Sequence, residues 1–265
     1  MKKIIICYMV LLLLIPYAAR AGELTGRQII ELQKERHAVK SDTADIVMLL
    51  VDRRGNKKER LIQRYGKEFE NGLRRTLIAF KEPKDIAGTA LLTWELEGDK
   101  DKQWLYLPAQ KRMQRIAGQS RKGAFMGTDF TYEDLQPDAI KNYDYNLLDS
   151  EKVDKADCYV IEVTPATKEK QKESAYSRRV LWVRKDIVFT VKIEFYDRRG
   201  RLFKTQTNHD LINLEGTVWM AKKSLMSNHR KKHKTLMGVK DRKINIPIDD
   251  TVFTERFILS GKHIR

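Results

Sequence analysis

Two histidines four residues apart, His229 and His233 in "SNHRKKHK", are the pair best placed to hold a metal together. On a helix that spacing would put both imidazoles on one face, where zinc could join them. Here the run is basic and turn-like, lies between two strand-like segments and brings no carboxylate as a third ligand. It reads as a solvated hairpin loop, and no metal is expected. The glycines and cations of "GQSRKGAFMG" suggest a phosphate cradle, but the GK[ST] ending and the following helix of such loops are missing. No G-x-S-x-G nucleophile elbow occurs. Tyr132, Glu133 and Asp134 are titratable neighbours, yet no histidine or nucleophile is set beside them by sequence. Cys158 stands in the strand-like run "ADCYVIEVTP" and reads as a small buried apolar residue. The chain is expected to be no enzyme and to need no cofactor.

Before asking what elements carry these residues, the N-terminus must be set apart. Lys2 and Lys3, an apolar run from Ile4 to Ile15, Pro16 and the small-x-small stretch Ala19-Arg20-Ala21 have the layout of a secretory signal peptide cleaved after Ala21. The apolar run is shorter than the ~20 residues a spanning helix needs. Residues 1–21 are therefore expected to leave, with 22–265 remaining as one exported domain. Cys7 leaves as well, so Cys158 has no internal disulfide partner. The whole chain carries 52 Lys or Arg against 36 Asp or Glu, and losing Lys2, Lys3 and Arg20 lowers the net charge from +16 to +13. Such a balance favours an anionic partner, an acidic lipid or an anionic membrane surface, or serves only to keep the chain in solution. Outside the cytoplasm no nucleic-acid partner is expected.

One helix opens the exported chain, with Thr25 as N-cap and Gln28 completing a capping box ahead of Ile29, Ile30 and Leu32. From about residue 44 onward the period is two. In "VFTVKIEFYD", Phe189, Val191, Ile193 and Phe195 point one way and Thr190, Lys192 and Glu194 the other. About ten such strands joined by short turns make one curved antiparallel sheet. Further helix is expected only near residues 137–141 and 249–257. So little helix cannot blanket so much sheet. Either the sheet closes on itself or part of its apolar face lines a cavity, as sheets of eight or more strands do around small ligands.

The segments "KEPKDIAGTALLTWE", "WLYLPAQKRMQRIAG", "KGAFMGTDFTYEDL", "VLWVRKD…VKIEFYDRRGRLFK" and "DDTVFTERFI" resemble the LolA-like family of outer-membrane lipoprotein-sorting proteins, in the expected order and over nearly the whole exported chain. The resemblance implies a mainly β fold, α+β in detail: a strongly curved antiparallel half-barrel with a few helices and a loop lid over its concave face. It also implies a periplasmic protein that shields an acyl chain of a lipoprotein or lipid for transfer between membranes. Its partners would be an inner-membrane exporter of the resistance-nodulation-division type and an outer-membrane acceptor. The alternative is an accessory protein of such an exporter that works through protein contacts and carries no cargo.

On that resemblance the glycine-rich segment Arg115–Leu135 becomes either a lid or a plug of the core. As a lid, Phe125, Met126 and Phe130 would face the cavity, and Arg115, Arg121 and Lys122 would stand at its mouth where a headgroup carries charge. As a plug, the aromatics would fill the core while Asp129 and Asp134 tie the loop to the rim. Leu92, Trp94, Trp104, Tyr106, Met113, Trp182, Phe189 and Val191 are the expected cavity lining.

Overall fold

A computed structural model describes residues 24–97, 101–136 and 139–264. The expected signal peptide and the start of the helix expected at 137–141 lie outside them. The chain opens with α1 (Gly26–Arg36), closed at its N-terminus by the Thr25–Gln28 capping box. Gly26 lets this helix touch the sheet: a Cβ there would come within 3.1 Å of the Leu147 nitrogen and the Tyr145 oxygen.

Thirteen strands follow: β1 (Ser41–Val51), β2 (Lys57–Glu68), β3 (Arg74–Glu82), β4 (Ala90–Trp94), β5 (Lys102–Leu107), β6 (Arg112–Ile116), β7 (Tyr143–Val153), β8 (Ala156–Pro165), β9 (Arg178–Arg184), β10 (Phe189–Tyr196), β11 (Leu202–Glu215), β12 (Val218–Asn228) and β13 (His233–Ile244). Between β8 and β9 lies α2 (Lys168–Glu173), and α3 (Glu255–Leu259) ends the chain. All the strands form one antiparallel sheet, in the order β6-β5-β4-β3-β2-β1-β13-β12-β11-β10-β9-β8-β7. The count exceeds the ten expected. β6 has no strand signal in the sequence, and its last two residues, Arg115 and Ile116, fall within the glycine-rich segment. Its reversal from β5 is made by Pro108–Gln110 and by Lys111 in a left-handed conformation (φ 48°), so no glycine marks the break.

The sheet curls. Two residues of the segment 117–136 touch both β5 and β11: the Tyr132 carbonyl accepts from Gln103, and the Asp134 carboxylate accepts from Lys204. Those strands stand seven spacings apart in the order, about 33 Å in a flat sheet. The sheet therefore wraps around this segment, which lies on its inner face together with α1. The inner face holds three apolar clusters: Met48, Phe80 and Leu91 with Phe125; Phe130 with Tyr176 and Phe195; and Ile29 of α1 with Ile161 and Val183. Two others lie on the outer face. One of them is covered by Phe253 and Ile258 from the C-terminal segment. The expected single apolar face of β10 is split by a bulge. Pairing with β9 slips between Thr190 and Lys192, so Val191 joins Trp182 in the second outer cluster while Phe195 stays inside.

Candidate functional site

Asp42 has no solvent exposure, and three guanidinium groups surround it. Ala44, next in phase on β1, pairs with Arg64 on β2 and with Arg242 on β13, which puts both cations on the inner face beside Asp42. Arg74 reaches across from β3. It can do so because Gly66, opposite Asp42, has no side chain: a Cβ there would stand 2.6 Å from both the Arg74 guanidinium and the Asp42 carboxylate. Arg64 and Arg74 donate directly to the two carboxylate oxygens, and Arg242 Nε lies 3.3 Å from Oδ2. Arg74 donates also to the Val39 carbonyl just past α1, at 2.8 Å. Burial pulls the pKa of Arg74 and of Arg242 below the usual guanidinium value, and the neighbouring Asp42 charge opposes that pull.

Above this cluster lies a cavity of about 520 Å³ between α1 and the inner face. Ile30, Val39, Val163, Leu181 and Ile193 give it apolar walls, and Arg64, Arg74 and Arg242 form its polar floor. A second cavity of about 360 Å³ shares Arg64, Phe189, Asn208 and Arg242 with the first. His37 closes the rim: its Nδ1 accepts from the Trp219 amide at 3.1 Å and its Nε2 donates to the Val188 carbonyl at 3.0 Å. Burial lowers the His37 pKa, so the ring is neutral at pH 7. A concave space with greasy walls and few, charged polar groups suits an amphiphile.

The glycine-rich segment covers the neighbouring stretch of the inner face. Phe125 is fully buried, its ring 5.5 Å from that of Phe80 and 5.7 Å from that of Tyr132. Met126 turns left-handed (φ 47°), and its carbonyl accepts from Arg60 at 2.6 Å. Phe130 packs with Tyr176, Phe195 and Met226. Polar groups pin the segment from below. Asp129 accepts from His233 at 2.6 Å and from Thr235 at 2.8 Å. Lys204, without solvent exposure, donates to the Asp129 carbonyl at 3.1 Å and to Asp134 at 2.5 Å, and Tyr176 donates to Asp134 at 2.8 Å. Glu133 accepts from Ser174 and the Ala175 amide, and burial raises its pKa. The titratable run Tyr132-Glu133-Asp134 is thus engaged in holding a loop.

The other expected residues do not converge on this space. Leu92, Trp94, Trp104, Tyr106 and Met113 pack on the outer face beneath Phe253, whose carbonyl accepts from the Trp94 indole at 2.9 Å. Trp182 and Val191 form the other outer cluster, with the Trp182 indole donating to Glu151 at 2.7 Å. Phe189 does line both cavities and meets His37 edge-on at 5.4 Å. Of the three mouth cations, Arg115 pairs opposite Trp104 and so faces outward, and Arg121 is buried with its guanidinium on the Asp101 carbonyl at 2.5 Å. Lys122 lines a basic groove of about 600 Å³ with Arg198, Arg199, Arg201 and Arg230. His229 and His233 go separate ways, to Thr205 and to Asp129. Among the described residues no three His, Cys, Asp or Glu side chains gather to hold a metal. Cys158 is buried, and burial pushes its thiol pKa up.

Positive charge is concentrated at one end of the sheet. The β1–β2, β12–β13 and β10–β11 turns stand side by side there, as the pairings of Val51 with Lys57 and Lys234, Asn228 with His233 and Tyr196 with Leu202 require. Residues 52–58, 197–201 and 229–232 together carry ten Lys or Arg and two Asp. The two aspartates are engaged within their own turns, and hydrogen bonds from Arg201 hold the Asp197 pKa at about 2.

An outer membrane lipoprotein-sorting protein domain from Vibrio parahaemolyticus, so described, is 32% identical to this chain over 88% of it and 98% of the Vibrio chain, with a TM-score of 0.83. The chain belongs to the LolA-like family of outer-membrane lipoprotein-sorting proteins. A DUF1329 family protein from Desulfovibrio piger, 30% identical over 88% of this LolA-like chain and 97% of its own, superposes with a TM-score of 0.82. A LolA superfamily protein from Nitrosomonas europaea shares the fold at 20% identity, covering 89% and 100% of the two chains with a TM-score of 0.70. A family model with the description "-like: Uncharacterized protein" matches residues 72–260. No curated protein matches significantly. No helix among the described residues of this LolA-like protein is long and apolar enough to cross a membrane.

Proposed function

We propose that this protein is a periplasmic carrier, directed there by residues 1–21, that shields an acyl chain of a lipoprotein or lipid on its way between membranes. The observation that carries the reading is the cavity between α1 and the inner face, apolar along its walls and sharing Arg64 and Arg242 with an adjoining cavity. Hydrocarbon moved through water must be covered, since each buried CH₂ contributes ~0.8 kcal/mol and a fourteen-carbon chain roughly 11 kcal/mol. That retention requires the space to open at the donor or the acceptor. The segment 117–136 lines neither cavity but covers the inner face beside them, and in this reading it is a lid that moves to lengthen the space: Phe125 and Met126 sit on the inner face, yet their loop is held by hydrogen bonds to side chains as well as by packing. The basic end is the surface that meets anionic membranes. An inner-membrane exporter and an outer-membrane acceptor are the expected donor and receiver.

Native mass spectrometry of gently purified protein tests the reading. Bound lipid is expected, and Met126→Asp, at a half-buried position, is expected to lose it while circular dichroism stays that of the wild type, as is the milder Phe125→Ala. Wild-type retention in both variants would sink the lid, and protein that never carries or accepts lipid would sink the carrier. Protein without lipid that captures an exporter component would instead favour the accessory role, to which the basic end is equally suited.

A further inference from the structure

We propose that Arg64, Arg74 and Arg242 form a headgroup clamp: an anion site that receives the carboxylate or phosphate of an amphiphile whose hydrocarbon lies along the cavity. The inference rests on the carrier reading and adds the chemistry of the cargo's polar end. It starts from a charge imbalance. Three guanidinium groups gather on one carboxylate, Asp42, whose two oxygens are already taken by Arg64 and Arg74. Arg242 is the surplus cation. Its Nε is buried without a hydrogen bond, and its ion pair among the described residues is the 3.3 Å approach to Asp42. Buried donors are costly to leave unpaired, and a buried cation costs more.

The wider surroundings do not supply the missing anion. Lys34, Arg64, Arg74, Arg179 and Arg242 line the larger cavity against Glu68 and Glu95, with Asp42 behind the floor. His37 adds no charge, being neutral. Arg179 is engaged elsewhere, so four cations face three carboxylates, and Glu95 accepts from the Arg74 amide at 2.9 Å. The side chains of Arg64, Arg74 and Arg242 keep 27%, 20% and 22% of their exposure, and all three line the larger cavity. Planar guanidinium forks converging from three strands match the oxygens of a carboxylate or a phosphate. Asp42 makes the arrangement possible, because without it three cations could not be held so close. The apolar walls at Val163, Leu181 and Ile193 begin where the floor ends, so a single ligand can use both.

The test compares palmitate, palmitoyl lysophosphatidate and neutral monopalmitoylglycerol as displacers of a bound fluorescent fatty-acid probe from the full-length protein. Inorganic phosphate is titrated separately and followed by calorimetry. The clamp predicts that at least one anionic lipid binds about tenfold more tightly than the neutral one, the effect of one charge-assisted hydrogen bond. A preference for palmitate names a free carboxylate as the head, and one for lysophosphatidate a phosphate. Arg242→Gln leaves Asp42 bonded to Arg64 and Arg74, and is expected to bring the preference below threefold. The wild-type comparison stands alone should that variant not fold. Equal binding of charged and neutral lipids overturns the clamp and spares the carrier. No lipid binding, with phosphate still bound in an Arg242-dependent manner, overturns the carrier and keeps an anion site. Neither lipid nor phosphate binding overturns both.

Discussion

His37 shows how much of this rim depends on one protonation state. Its Nδ1 must be bare to accept the Trp219 amide, while Nε2–H donates to Val188. Burial lowers its pKa from the ordinary 6.5, so the fold favours the neutral ring. The contribution to stability is therefore full above 6.5 and lost as pH falls through the lower folded value. Hydrogen exchange should report this: protection of the Trp219 amide is expected to fall between pH 7 and pH 5 beyond the intrinsic rate change, and His37→Gln, which can accept and donate without titrating, should abolish the pH dependence. Unchanged protection at pH 5 would remove His37 from the rim. None of this was visible in the sequence, where His37 was one unremarked histidine after a helix. The arginine cluster was equally hidden, because its members come from four strands and meet only through register. It did leave a trace. Asp42 is in phase with Ala44, Ile46 and Met48 on β1, and a charge in phase with buried positions marks a partner still to be found.

At the scale of elements, the segment Arg115–Leu135 reads in the sequence as a stretch without a period, open to lid or plug, since packing and pinning both fit its composition; its first two residues belong to β6. The geometry adds a polar latch that composition could not reveal: Lys204 arrives from β11, 70 residues away from Asp134. Lys204→Met should cost ~3–5 kcal/mol in urea unfolding, because it strands a buried carboxylate. Adding Asp134→Asn to it should recover a sizeable part of that loss, as coupled partners do. If the double variant is as unstable as the two single losses summed, the pair is no latch. The strands themselves were legible wherever glycine or charged turns punctuated them. β6 was not, as its turn uses Pro108 and a left-handed Lys111. Assignment of faces failed for a related reason: β3, β4 and β5 are buried on both sides, so Trp94 and Trp104 looked like cavity residues while packing outward beneath Phe253.

For the whole molecule, the net charge of the sequence becomes a direction. Ten cations gather on three neighbouring turns and the start of β2 at one end of the sheet, and near an anionic bilayer each is worth about 1 kcal/mol. Vesicles containing anionic lipid should bind the protein where zwitterionic vesicles do not, and binding should weaken as salt rises. Replacing Arg198, Arg199 and Arg230 by Glu should lower it by roughly a hundredfold or more. Vesicle binding untouched by that replacement would show that the basic end is not the contact. The edge strands of the sheet are β6 and β7, and the described parts of the connection between them, residues 117–136 and 139–142, include the loop moored to β5 and to β11. A connection moored at two strands limits how far the sheet can unroll, so lengthening it is expected to widen the bore and shortening it to reduce the girth of what the trough can hold.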